Sequence, residues 1–587
     1  MHSLWNATEA AQYPNDLAQR VYTSHLLGRN PALVLHGGGN TSVKITEATL
    51  LGGQEELLYI KGSGWDLATI EAAGFAPVRR RALLDLATLP TLSDKAMANA
   101  MRCAMTDASA PSPSVEAILH ALLPHKFVDH THADVLIALT NTPNGHEHVR
   151  RVYGDSVVII PYVMPGFKLA RLCADIYPQA AHSGTIGMML LKHGIFSFGE
   201  TARESYERMI ELVSRAETYL ADRSAWTIAL PQVAALTQPQ RLERARLRRA
   251  ASDTAGAPLI MITRDDAQSL GFAQRADVAQ LSQQGPATPD HVIRTKRVPL
   301  LGRDVRAFQQ AYVDYFETNK TRSVDPLTML DPAPRLILDP ELGLMALGKT
   351  AKDAAISAEI YHHTIDIILR AHALGGYEAL SAADLFDMEY WELEQAKLKS
   401  HATAPIFTGE IALVTGAASG IGKASVAALL KRGAAVIGLD INPAIETLYQ
   451  RADYLGVICD LTDETAIQHA LEAGVKAFGG LDLLILNAGI FPPSAKIEAM
   501  ELDYWQRVMR TNLDANVVLM REAHPLLKVA PNGGRVVIVG SKNVPAPGPG
   551  AAAYSASKAA MNQLARVAAL EWGADGIRVN TVHPNAV

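Results

Sequence analysis

The chain has 587 residues, room for about three to four domains of ordinary size, with 48% hydrophobic and 19% charged residues and a mean hydropathy of +0.06. That balance excludes wholesale disorder and fibrous repeats. Lys and Arg number 54 against 60 Asp and Glu, a formal net charge of −6, which supplies no basic field for a nucleic-acid partner.

Cys103, Cys173 and Cys459 stand far apart in no paired spacing, so neither a disulfide framework nor a thiolate zinc site is expected. The N-terminal stretch mixes Glu9, Asp16, Arg20 and Arg29 with short apolar runs and lacks the basic start and apolar core of a secretory signal. Nowhere does an uninterrupted apolar run reach the roughly 18 residues of a membrane helix. A cytoplasmic protein with no membrane partner is expected.

Two connections, LPQVAALTQPQ and HATAPIFTGE, divide the chain into segments 1–230, 231–402 and 403–587. In the first, apolar runs such as ELLYIKGSG and DSVVIIPYV alternate with helical stretches such as SVEAILHALL, the pattern of an α/β domain. LHGGGNTSVK carries Gly37, Gly38 and Gly39 followed by Asn40, Thr41 and Ser42, and YIKGSG carries Ser63 and Gly64. Each could be a tight turn needing positive φ; backbone N–H groups in such turns also cradle phosphate.

Downstream, VDHTHADV sets His130 and His132 two apart in a strand-like run, which projects both imidazoles to one face. His193, in LLKHGIFSFG, is a third candidate, and three neutral imidazoles with an open position make a catalytic zinc site. Glu116, in PSPSVEAILH, offers a carboxylate for proton transfer.

GGGNTS, KGSG, PSVE, HTHAD and the HG before a helix occur in that order in the class II aldolase/adducin family, which the first 225 or so residues resemble. The resemblance implies zinc held by His130, His132 and His193, Glu116 as the proton-transfer residue, and a substrate phosphate bound by Asn40, Ser63, Gly64 and Ser114. It also implies a phosphorylated sugar as substrate and a homo-oligomer, a tetramer in that family.

The middle segment reads as mostly helical, with no chemistry of its own. Its LGLMALGKTAKDAAISAEIYHHTI echoes HGIFSFGETARESYERMIELVSRA, both reading G-x4-G-x-T-A before a long helix, with Leu342 where the first copy has His193. A degenerate repeat and two unrelated strand-turn-helix units account for this equally well.

Beyond 403 the runs IALVTG, AVIGLD, LLILNAG, RVVIVGS and IRVNTVHP alternate with helical stretches, as a doubly wound parallel sheet requires. LVTGAASGIGKA places Thr415, Gly416, Ser419, Gly420, Ile421 and Gly422 at a strand-to-helix turn that admits a pyrophosphate. Asp440 closes the next strand, where a carboxylate binds a ribose 2′-hydroxyl and repels a 2′-phosphate, so NAD is expected over NADP. Tyr554 and Lys558, four apart in AAYSASKAA, share a helix face.

With Asn487, Ala488 and Gly489 (NAG), then Asn512, Ser541, Tyr554 and Lys558, this segment resembles the short-chain dehydrogenase/reductase family. The resemblance implies Tyr554 as general acid/base, Lys558 on the nicotinamide ribose lowering the phenol pKa, Ser541 orienting substrate and Asn512 holding a relay water. It also implies adenine contacts at Asp460 and Leu461. The family's Pro-Gly reads Pro584-Asn585, and the sequence stops at Val587, before the family's last strand and substrate-binding helices; little dehydrogenase turnover is therefore expected of this sequence. The pairing of the two domains resembles the bifunctional rhamnulose-1-phosphate aldolase/lactaldehyde dehydrogenase family, which implies Zn²⁺ and NAD as cofactors and a released aldehyde as second substrate.

Overall fold

The computed structural model describes residues 1–231, 240–323, 325–396, 398 and 403–585. Among them no helix is long and apolar enough to cross a membrane.

The first segment is built on β1 (Asn40–Ala48), β2 (Gln54–Lys61), β3 (Phe75–Arg79), β4 (Phe127–Thr131), β5 (Val157–Ile160), β6 (Gly187–Leu190) and β7 (Gly194–Gly199). They form one sheet in the order β3-β2-β1-β4-β7-β6-β5, antiparallel except where β5 lies beside β6. Every residue of β4, β6 and β7 is buried, because helices cover both faces. Helices Asp16–Gly28 and Ala202–Asp222 pack Leu26, Tyr206, Met209 and Val213 on one side. Helices Arg80–Ala87, Ala117–Leu122 and Phe167–Ala180 pack Leu83, Leu119 and Phe167 on the other, against Phe196 and Phe198. Burying each such phenyl ring contributes about 1.5–3 kcal/mol.

The middle segment is rich in helix and also holds a small sheet. β8 (Ile260–Arg264), β9 (Leu300–Leu301), β10 (Leu336–Asp339) and β11 (Gly343–Gly348) run in the order β8-β11-β10-β9. The sequence echo has a structural counterpart. β6-β7 and β10-β11 are both antiparallel pairs that feed a long helix. Thr201 caps the first helix by accepting from Glu204 N, and Thr350 caps the second by accepting from Asp353 N.

The last segment is a parallel sheet of β12 (Ile411–Thr415), β13 (Ala435–Asp440), β14 (Tyr454–Ile458), β15 (Leu483–Leu486), β16 (Arg535–Val539) and β17 (Arg578–Val582). The order β14-β13-β12-β15-β16-β17 reverses direction between β12 and β15. In open α/β sheets that switch point opens a crevice at the carboxyl ends of the strands. The middle segment is joined to this domain through a shared core in which Ala245, Ile260 and Ala351 pack with Phe478 and Leu481.

Candidate functional site

The three histidines predicted as ligands converge. His130 is on β4, His132 just past its end and His193 in the turn before β7, so the pairing of β4 with β7 brings them together. One ring nitrogen from each lies within 4.8 Å of the others, and Nε2 of His130 is 3.0 Å from Nε2 of His132. His130 donates from Nδ1 to Ile195 O (3.1 Å), which leaves its Nε2 lone pair facing the cluster, and it stacks on Phe196 at 4.3 Å. Burial pushes the His130 imidazole down to about 4 and that of His132 well below its ordinary value. Both rings are therefore neutral near pH 7, the form that binds metal.

Glu116 caps helix Ala117–Leu122 from the opposite side, with Oε2 3.6 Å from His130 Nε2 and Oε1 3.7 Å from His193 Nε2. Its Oε1 is buried without a hydrogen-bond partner among the described residues. A buried carboxylate oxygen of that kind beside a cluster of three imidazoles fits a divalent cation, and imidazole nitrogens suit first-row metals, zinc among them.

Two of the predicted phosphate residues, Asn40 and Ser114, are joined to Glu116 and to the first glycine loop. Asn40 Nδ2 donates to Glu116 Oε2 (2.6 Å) and Ser114 Oγ (3.2 Å). Ser114 N donates to Lys61 O, and Lys61 Nζ donates to Gly37 O (3.1 Å), tying the two glycine loops together. Ser63 and Gly64 are exposed, and φ is +81° at Gly37 and +88° at Gly64. Neither of those glycines has an atom within 4 Å of where a Cβ would stand, so both loops are open to a ligand.

Sequence reasoning missed several supports. His120 is fully buried, takes Ser42 Oγ at Nδ1 (2.8 Å) and meets Asn40 Oδ1 at Nε2, which aims Asn40. Arg20 and Asp129 make a fully buried ion pair under β4, and Ser205 Oγ donates to the same carboxylate. Asp290 of the middle segment lies 3.4 Å from His132 Nδ1. A lone His or Asp in an unremarkable run carries no sequence signal; only the H-x-H spacing did.

In the last domain the glycine turn sits at the switch point. A Cβ at Gly416 would meet Asn487 Nδ2 at 2.9 Å and one at Gly422 would meet Gly416 O at 2.0 Å, so only glycine fits. Thr415 Oγ1 accepts from Asn487 N and Ala488 N (3.0 Å each), locking the NAG turn to β12. Ser419, Gly420 and Ile421 open helix Gly420–Lys431, whose start has no side-chain cap and whose Gly420 faces open space. That cradle fits a pyrophosphate. Asp440 accepts from Ala418 N (2.9 Å) at the end of β13, which holds its carboxylate beside the turn. Asp460 is exposed after β14 and Leu461 is half-buried next to it.

Asn512 lies in a π-helical turn, Arg510–Asp514, and is fully buried. Its Oδ1 accepts from Ile490 N (2.7 Å), and its Nδ2 donates to Ile490 O and to Ser557 Oγ. Tyr554 and Lys558 lie on helix Ala552–Glu571, with Lys558 Nζ 5.9 Å from the Tyr554 ring centroid. Lys558 donates to Val539 O (2.9 Å), and burial pushes its ammonium down to about 8. A Cβ at Gly489 would stand 3.1 Å from Asn512 Oδ1 and 3.4 Å from Lys558 Nζ, so the NAG turn, Asn512 and Lys558 meet at one place. Ser541 is buried just past β16, where its Oγ accepts from Asn543 N.

Three family models match the chain in succession. They are the class II aldolase and adducin N-terminal domain over residues 18–220, the class II aldolase second domain over 240–398, and the short chain dehydrogenase over 410–587. The chain is 33% identical over 616 aligned positions to the uncharacterized oxidoreductase YuxG of Bacillus subtilis, covering 100% of this chain and 88% of the relative. It is 34% identical over 177 residues to the short chain dehydrogenase adrF of Penicillium rubens, covering 30% of this chain and 69% of that one. Among solved structures, the N-terminal class II aldolase domain of a conserved protein from Thermoplasma acidophilum is 41% identical, covering 38% of this chain and 99% of that chain, with a TM-score of 0.35.

Proposed function

Because the chain belongs to the family of class II aldolase and short-chain dehydrogenase fusions that includes the Bacillus subtilis oxidoreductase YuxG, we propose that it is a bifunctional enzyme. Its first site cleaves a ketose 1-phosphate, with rhamnulose 1-phosphate the preferred reading, to dihydroxyacetone phosphate and lactaldehyde. Its second site oxidises the aldehyde with NAD. The observation that carries this reading is the three-histidine cluster with Glu116 under 4 Å from two of its rings, in one chain with a nucleotide turn guarded by Asp440.

His130, His132 and His193 would hold Zn²⁺, which would supply a Lewis acid at this site. The protein residues do the rest. The loops of Gly37 and of Ser63-Gly64, with Asn40 and Ser114, hold the phosphate and so fix the sugar carbons against the histidines. Glu116, kept in place by Asn40 Nδ2, moves the proton: as the C3–C4 bond breaks, the C4 hydroxyl becomes the aldehyde and C3 must be protonated.

In the second site NAD supplies the hydride acceptor. Tyr554 takes the hydroxyl proton as hydride leaves the carbon. For an aldehyde the reacting species is its hydrate, so the oxidation to the acid consumes one water. Ser541 orients that hydroxyl, Lys558 binds the ribose, and Asn512 holds the proton path. Asp440 excludes a 2′-phosphate.

Metal analysis of the purified full chain tests the first half. One zinc per chain, lost in His132→Ala, is the expected result; a chain without stoichiometric metal would mean the first domain is a scaffold.

A further inference from the structure

Among the described residues the middle segment touches the first domain at several places, and one of them reaches a predicted metal ligand. Asp290 lies in the short turn Pro289–His291, about 160 positions downstream of the H-x-H run, and its Oδ1 is 3.4 Å from His132 Nδ1. Gly38 lies beside this meeting: a Cβ there would be in ordinary contact with His132 Nδ1 at 3.6 Å and with Asp290 Oδ2 at 3.9 Å. Further contacts seat the segment. Glu359 Oε2 is 2.9 Å from His36 Nε2 beside the first glycine loop, His363 Nδ1 is 2.5 Å from Asp134 Oδ2 just past His132, and Lys192, next to His193, donates to Glu378 (2.5 Å).

We propose that Asp290 is the positioning residue of the His132 ligand, so that the middle segment completes the metal centre of the first domain. A ligating imidazole presents one nitrogen to the metal, and the hydrogen bond made by the other nitrogen decides which tautomer and which ring orientation it holds. His130 has this support from a backbone carbonyl, Ile195 O. His132 lies just past the end of β4, where its Nδ1 has no hydrogen-bond partner among the described residues, and Asp290 Oδ1 stands 3.4 Å from that nitrogen. With Nδ1–H directed to Asp290, the Nε2 lone pair of His132 faces His130 Nε2 and the open centre of the cluster. The carboxylate also raises the basicity of the imidazole, which strengthens its bond to a cation.

This inference rests on the zinc reading given above, and its test separates the two. Zinc affinity of the full-length protein is measured by competition with a chromophoric chelator. His132→Ala tests the reading itself and should abolish tight binding. Asp290→Ala should raise the zinc dissociation constant by roughly 10- to 100-fold, the usual effect of removing an outer partner of a ligating histidine. Asp290→Asn keeps an acceptor without its charge and should give a smaller rise. Glu359→Ala cuts a seating contact without touching the histidine cluster and should leave zinc affinity unchanged. An unchanged dissociation constant in Asp290→Ala, while His132→Ala loses the metal, would overturn the positioning role and leave the zinc reading intact. An equal rise in Glu359→Ala would overturn it too, because the effect would then belong to domain seating. If Asp290→Ala fails to fold, Asp290→Asn decides alone: a dissociation constant identical to wild type overturns the proposal.

Discussion

Arg248 and Asp482 form a two-pronged ion pair between the middle segment and the dehydrogenase sheet, Nη1 to Oδ1 at 3.0 Å and Nη2 to Oδ2 at 2.7 Å, with both side chains buried. Each partner has further bonds. Arg248 also donates to Leu259 O and Gly409 O, and Asp482 Oδ2 accepts from Ile411 N at the start of β12. The pair thus ties the connection after the middle segment to the first strand of the nucleotide-binding sheet. Removing one partner leaves the other charge buried and alone, which costs about 3–5 kcal/mol. Arg248→Ala should therefore lower the urea midpoint of the dehydrogenase unfolding transition clearly, and an unchanged midpoint would show that water replaces the guanidinium at no cost.

His132→Ala should lose zinc and aldol cleavage together and keep NADH binding. The histidine cluster and the glycine turn are built on different sheets, so the loss has no route to the nucleotide site. The check is zinc content beside NADH fluorescence on the same sample. Wild-type cleavage without metal would contradict the assignment.

Asp440→Asn keeps an acceptor for Ala418 N and removes the charge that faces a 2′-phosphate. The preference for NAD over NADP should fall by on the order of tenfold, equivalent to about 1.4 kcal/mol. Dissociation constants for NADH and NADPH measure it directly. Unchanged discrimination would place the 2′ contact elsewhere.

Lys558 gives a pH dependence. Burial holds its ammonium at about 8, below the ordinary value near 10.4. The lysine is charged below pH 8 and neutral above it, so NADH binding through this group should weaken as pH rises through about 8. For stability the sign is opposite. The burial penalty on the charge is fully present below pH 8 and is relieved as pH rises toward about 10.4, because in that window the unfolded chain binds the extra proton. Titrating the NADH dissociation constant from pH 7 to about 9.5 checks the first statement, and Lys558→Met should flatten the curve. A flat wild-type profile would contradict it.

Much of both folds was legible because their signals are local. The strand-turn-helix around Gly416 and the face shared by Tyr554 and Lys558 are set by short-range spacing, as is the H-x-H pair. The convergence of His193 on that pair depends on β7 pairing with β4, a register no local pattern states; the residues mark His193 only as a candidate before a glycine, and the family resemblance implies its place as third ligand. The middle sheet was hidden because β9 is two residues long and β10 four, too brief to display a period. The partners His120, Arg20 and Asp290 were hidden for a related reason. Each acts through contacts with residues distant in sequence, such as Asn40 for His120, Asp129 for Arg20 and His132 for Asp290.

The central claim is that the histidine cluster with Glu116 performs aldol cleavage that feeds the nucleotide site. It is tested most directly by incubating the zinc-loaded protein with a panel of ketose 1-phosphates and measuring dihydroxyacetone phosphate. Release from rhamnulose 1-phosphate above the other sugars, abolished in Glu116→Gln and His132→Ala, is the predicted result. Release from none of the panel by a zinc-replete protein would contradict the account.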